Sequence, residues 1–272
     1  VPVLDHRQTS GRVAARHIRP GLCSVTFRAL PAEEVVDLAA EAWLESIEWG
    51  SDVHARPDDA AGLDRVRELT EAAGLVVASY GSYHRALDDD ASRAEPAALV
   101  AAAQRLGTTR VRVWAGAVGS ADASPADRAA TVRELRQACD LAASAGVELA
   151  LEFHRGTLTD TVASTALLLE EVGRDNLSTY WQPPVGVDDD GAVAGLDTLL
   201  PHVSSLHVFS WGPAGERLPL AARAVLWQQV LTTAQTAPAC MDALLEFVAG
   251  DEPALLRTEA LTLRALLAGA VA

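Results

Sequence analysis

At 272 residues, 49% of them hydrophobic, the chain is long enough to bury a full core within one large domain. A formal net charge of −15 argues against a polyanion such as DNA as partner. No apolar run reaches the roughly 18 residues of a membrane span, and no signal-peptide stretch opens the chain, so the expected location is the cytoplasm without membrane attachment. All 22 cationic side chains are arginine; the absence of lysine excludes a Schiff-base mechanism, any other lysine nucleophile and a P-loop.

Residues 1–20 carry four arginines and no apolar period, and read as a frayed arm or an appended remnant, with a lid as the alternative. From residue 21 to 272 the chain alternates steadily. Gly21–Arg28 reads as a strand, and Pro31 with Glu33 and Glu34 opens a helix to about Trp43. Ser46–Trp49 is the second strand. A helix capped by Asp58 or Asp59 runs to about Ala73, and Leu75–Tyr80 is the third strand. A helix over about 95–106 precedes Arg110–Trp114, and Ser124-Pro125 opens a long helix to Ser144. The fifth strand lies in Val147–His154, followed by a helix over about 160–173 and the strand Leu177–Gln182. A short helix near 194–200, the strand Val203–Phe209, a helix over Leu220–Ala234, the strand Ala243–Val248 and a helix over 252–268 complete the series. The open alternative is a doubly wound sheet, but eight strand–helix units of about thirty residues in one chain favour a single (β/α)8 TIM barrel as the catalytic domain. Cys23, Cys139 and Cys240 lie far apart and read as reduced thiols.

Such a barrel gathers its strand C-termini around one mouth. Those ends carry Glu48, Trp114, Glu152 with His154, Trp181 with Gln182, His207 and Glu246. Acids within apolar strands are costly to bury unless paired or bound to a cation, and Glu152 in LALEFH and Glu246 in ALLEFV have that setting. Taken singly, each is as readily a salt-bridged barrel residue, and His207 a core histidine. Together, Glu152, Gln182, His207 and Glu246 make a mixed nitrogen and oxygen set suited to one divalent ion among Mn, Mg, Co, Fe and Zn. Trp114, Trp181 and Trp211 suit the C–H face of a sugar or another ring, or else cap the core. Glu48, at the end of strand two, is expected to contact substrate; His54 and His84 follow strands two and three, where they either contact substrate or are solvated.

At LEFH, HVFSW and LLEF the chain resembles the xylose isomerase-like barrels. That superfamily of sugar phosphate isomerases and epimerases also includes ketose 3-epimerases, inosose isomerases and dehydratases, and endonuclease IV. The resemblance, over about residues 20–270, implies one divalent metal held by Glu, Asp, His and Glu from strands five to eight. Glu152, His207 and Glu246 match the first, third and fourth. Gln182 stands where the family has Asp, and Val185 where a His commonly follows, which removes one negative charge from the ligand set. The implied activity is isomerisation or epimerisation of a sugar, cyclitol or related polyhydroxy ketone. Its proton transfer beside a carbonyl would be shared by Glu152 and Glu246 on opposite faces of the substrate. His154 and Arg217 would contact substrate, and a homodimer is implied by the family. The alternatives are a dehydratase or lyase on the same scaffold, and a barrel that has lost its metal and only binds. The endonuclease reading fails on too few histidines and the wrong charge.

Overall fold

The computed structural model describes residues 18–86, 95–184, 186–212 and 215–270. Eight parallel strands close into a barrel: β1 (Ile18–Cys23), β2 (Ser46–Gly50), β3 (Val76–Arg85), β4 (Arg110–Trp114), β5 (Glu148–Leu151), β6 (Leu177–Trp181), β7 (Val203–Val208) and β10 (Met241–Leu245). Between β7 and β10 the chain forms a two-residue antiparallel pair, β8 (Ser210–Trp211) and β9 (Arg217–Leu218). Closure comes from β1 pairing with both β10 and β2. Eight helices alternate with the barrel strands: α1 (Ala32–Glu41), α2 (Ala60–Ala72), α3 (Pro96–Leu106), α4 (Pro125–Ser144), α5 (Val162–Val172), α6 (Asp189–Leu199), α7 (Ala224–Ala234) and α8 (Leu256–Ala270). The single (β/α)8 barrel is therefore the fold. No described helix is long and apolar enough to cross a membrane.

Several boundaries differ from the sequence reading, each for a local reason. Ile18-Arg19-Pro20, read as part of the arm, begins β1, because Ile18 is buried and pairs in register with Met241. The arm at residues 1–17 lies outside the described residues. The first strand stops at Cys23, where Ser24–Phe27 turn into a 3₁₀ helix. Helix α6 begins earlier than expected because the Asp188 side chain accepts from Gly191 N and caps it there. Helix α4 starts as its Ser-Pro predicts, with a capping box in which Ser124 and Asp127 accept each other's backbone N–H.

The two-residue period of each strand sorts its side chains between two layers. Ile47, Trp49, Val111, Val113, Leu151, Trp181, Leu206, Val208, Ala243 and Leu245 face the helices and join the large core. The intervening residues face the barrel axis. There Cys23, Ala78, Ala150, Tyr180 and Leu244 form a small separate apolar cluster. Above it stand the buried charges Glu48, Arg112, Glu152, His207 and Glu246.

Candidate active site

Six strands, β2, β4, β5, β6, β7 and β10, deliver the site. Residue 112 is the middle of RVRVW, and its neighbours Val111 and Val113 face the helices, so Arg112 must face the axis. Its guanidinium touches Glu152 Oε2, and its Nε lies 3.2 Å from Glu48 Oε1. The Trp114 indole donates to the same Glu152 oxygen, and the Ser79 hydroxyl donates to Glu48 Oε2 at 2.8 Å. Gly81 leaves room for this bridge, since a Cβ there would come 2.8 Å from Glu48 Oε1 and 3.0 Å from Arg112 Nη2.

His207, wholly buried, stands beside the bridge. Its Nδ1 lies 3.3 Å from both Glu246 Oε2 and Gln182 Oε1, and 3.8 Å from Glu152 Oε1. Its Nε2 lies 3.7 Å from Glu48 Oε1, and Tyr180 meets the ring edge-on with centroids 5.0 Å apart. Phe247 holds the last carboxylate in place: it adopts φ +67° just after Glu246, and its N–H donates to Thr26 Oγ1 at 2.9 Å. A left-handed backbone at a bulky residue persists only where its surroundings over-determine it.

Burial disfavours every charge in this cluster, and the partners decide the outcome. Burial raises the Glu48 carboxyl, but Arg112 and His207 outweigh it and bring the pKa down to about 2. Burial likewise raises Glu246, and His207 with Arg112 reverses the direction. Burial would lower His207, yet Glu246 and then Cys23 hold it well above the ordinary imidazole range. Because the folded-state pKa of Glu48 lies below its ordinary value of 4.5, its contribution to stability is complete above that value and is lost as pH falls towards about 2. Thermal midpoints followed by circular dichroism should therefore fall more steeply in wild type than in Glu48→Gln across that window. Parallel curves would show that the carboxylate is not held by Arg112.

The other expected site residues divide. His154 stays at the mouth, stacked on Trp114 with centroids 4.6 Å apart, and lines a cleft with Arg155, Gln182, Phe209 and Trp211. Its Nδ1 lies 2.7 Å from the Arg155 carbonyl, which can only accept, so Nδ1 carries the proton and Nε2 the lone pair. Burial lowers its pKa and favours the neutral form. Arg217 is joined to Asp251 and lies 3.8 Å from the Phe247 ring centroid, beside the last strand's exit.

Four side chains are placed elsewhere. Trp181 faces outward and packs on Trp227 of α7, because its neighbour Tyr180 takes the axial position. His84, on the extended end of β3, lines an apolar cavity with Leu99, Val111, Leu135 and Leu149, away from the mouth. His54 spends both ring nitrogens within the protein, on Ser24 Oγ at 3.2 Å and the Leu30 carbonyl at 2.9 Å. Glu48, expected to contact substrate, is 1% exposed and lies below the mouth in the Arg112 bridge. Arg112 and Cys23 are the residues missed. Arg112 was signalled by a lone charge between outward valines, whereas nothing in GLCSV marked Cys23.

The donor set suits a divalent cation. Ligand atoms of Glu152, His207 and Glu246 lie within 4.8 Å of one another, and Gln182 offers its carbonyl beside His207. Three buried carboxylates share the Arg112 guanidinium and the His207 imidazolium, and a divalent ion that displaced the imidazole proton would neutralise the remainder.

The xylose isomerase-like TIM barrel family profile matches residues 36–190, more than half of the chain. A 3-dehydroshikimate dehydratase from Bacillus anthracis is 31% identical over 166 residues, covering 57% of this chain and 58% of the relative. The match thus spans less than two thirds of that relative's length. Among solved structures, the probable 3-DHS dehydratase of petrobactin synthesis from Bacillus anthracis superposes with a TM-score of 0.76 at 23% identity, covering 90% of this chain and 98% of that one. A xylose isomerase-like barrel protein from Mycobacterium smegmatis, in complex with magnesium, gives 0.73 at 16% identity, covering 93% and 98%. An L-ribulose 3-epimerase gives 0.70 at 16% identity, covering 93% and 94%. At these identities the solved structures establish the fold alone.

Proposed function

We propose that this chain, which belongs to the xylose isomerase-like TIM barrel family, is a dehydratase acting on a hydroxylated ring ketone of the 3-dehydroshikimate type. Epimerisation, part of the first expectation from sequence, needs two proton carriers on opposite faces of the substrate, and the isomerisation expected beside it gave that role to Glu152 and Glu246. The observation that carries the dehydratase reading is the fixing of Glu152. One of its oxygens takes both the Arg112 guanidinium and the Trp114 indole, the arrangement of a permanent ion pair rather than of a group that gains and loses a proton each turnover. Elimination needs only one carrier. The dehydratase similarity at 31% identity supports the same reading.

His154 Nε2 is the base. Stacking on Trp114 fixes its plane, and the Arg155 carbonyl fixes its tautomer. It removes the proton from the carbon beside the substrate carbonyl. The electrons of that C–H bond form a C=C bond, the C–O bond to the β-hydroxyl breaks, and the hydroxyl leaves as water with the proton returned by the imidazolium. Glu152, Gln182, His207 and Glu246 would hold a divalent metal, which when bound supplies Lewis-acid polarisation of the carbonyl oxygen. Trp211 and Phe209, their rings tilted by 35° with centroids 4.9 Å apart, offer the ring an apolar wall.

Incubation of the purified protein and Mg²⁺ or Mn²⁺ with 3-dehydroshikimate in D₂O, followed by mass spectrometry, tests the assignment. The expected product has lost one water. Deuterium gained without loss of water would instead establish an isomerase or epimerase, and neither change would leave the binding barrel. The rate should also fall on the acid side, below the ordinary His range, as the lowered pKa of His154 requires. A flat acid limb would remove His154 from the role of base.

A further inference from the structure

We propose a second, deeper cation site in the barrel interior, formed by Cys23, Glu48 and Nε2 of His207 and selective for borderline-soft divalent ions such as Zn²⁺ or Co²⁺. Ligand atoms of these three residues lie within 4.8 Å of one another, and the residues come from β1, β2 and β7. Cys23 and His207 are wholly buried, and Glu48 is 1% exposed. Two of the three donor atoms are buried 3.7 Å apart without a hydrogen bond: His207 Nε2, and Glu48 Oε1, whose one close cation is Arg112 Nε at 3.2 Å. A buried lone pair without a partner costs free energy unless a donor or a cation meets it.

The opposite edge of the imidazole favours the same arrangement. Nδ1 faces the Gln182 carbonyl and the Glu246 carboxylate, each at 3.3 Å, and both are acceptors. His207 is held in its charged form without a cation, so an ion bound here displaces one ring proton; the Nδ1 proton stays with those acceptors, and the lone pair forms at Nε2, towards Glu48. Donation of the far N–H to a carboxylate or carbonyl is the usual support of a metal-bound histidine. Thiolate, imidazole and carboxylate together suit Zn²⁺ rather than Mg²⁺. Burial pushes the Cys23 thiol up to about 12, so cation binding must displace its proton to solvent. Arg112 Nε, 3.2 Å from Glu48 Oε1, weakens the site but leaves the sulfur and the nitrogen unopposed. A neutral imidazole has one lone pair, so occupation of this site and use of Nδ1 by the mouth set exclude each other. Only that competition rests on the mouth reading.

Co²⁺ titration of chelator-treated full-length protein tests the proposal by absorbance and equilibrium dialysis. The variant Cys139→Ala/Cys240→Ser keeps Cys23 as its one thiol. The expected result is a near-ultraviolet thiolate-to-cobalt charge-transfer band saturating at one equivalent, in wild type and in this variant. Glu48→Gln should bind at least tenfold more weakly. Retained Co²⁺ with visible bands only would place the ion in the oxygen and nitrogen set at the mouth, overturning the inner site and leaving the mouth reading intact. A band lost from the single-thiol variant would assign the thiolate elsewhere and overturn the proposal. No retained Co²⁺ would overturn both.

Discussion

Replacing Glu246 by glutamine lowers turnover by about 10²–10⁴-fold, the range associated with loss of a positioned acid–base or charge-stabilising group, while the far-ultraviolet spectrum stays unchanged. The substitution keeps shape and removes one charge. That charge is the largest influence raising the His207 pKa against burial. Its side chain, at 11% exposure, is also the most open of the three axial carboxyls, against 4% for Glu152 and 1% for Glu48. The imidazole resonance of His207 should therefore titrate at lower pH in the variant. Retention of Mg²⁺ or Mn²⁺ should fall at least tenfold. Turnover within threefold of wild type would remove Glu246 from the site, whatever happened to the resonance. A changed resonance with unchanged turnover would leave it only a structural partner of His207.

The barrel was legible in the sequence because its signals are local. Each strand is an apolar run closed by a polar loop, and Ser124-Pro125 with Asp127 specifies its own helix start. The axial charges were legible as single residues but not as a network. Glu152 and Glu246 stood out because acids within apolar strands require a partner. What that partner is depends on which residues share the axis, and only the inward and outward alternation decides it. Applied to LSTYW, the two-residue period makes either Tyr180 or Trp181 axial, and the pairing with Gln182 two positions on selects Tyr180. A strand-end tryptophan therefore packs on α7 rather than at the mouth. The same rule applied to RVRVW would have found Arg112. His84 shows the opposite limit: β3 continues to Arg85 through a register irregularity, and no local pattern in GSYHR announces that displacement.

Replacing Arg112 by methionine costs about 3–5 kcal/mol of stability, the range for removing one partner of a buried ion pair, and the upper part of that range is expected here. One guanidinium serves two carboxylates, each 4% exposed or less, so its loss leaves two buried negative charges facing Glu246. Against a total of roughly 5–15 kcal/mol for a native domain, much of the protein would then unfold at modest denaturant. The urea midpoint measures this, and a shift worth less than 1 kcal/mol would show that solvent reaches the bridge. Charge rather than packing volume can be isolated by adding Glu48→Gln to Arg112→Met. The double variant should recover part of the loss, because it removes one of the two stranded charges. Lysine at 112 should recover less than its charge suggests, since one ammonium cannot span both carboxylates as the planar guanidinium does. Gly81→Ala approaches the same bridge from the other side, by placing a methyl group 2.8 Å from Glu48 Oε1. If the bridge sets the stability of the axial cluster, that methyl group and the loss of Arg112 should both make the Glu48-dependent fall in thermal midpoint between pH 4.5 and about 2 shallower.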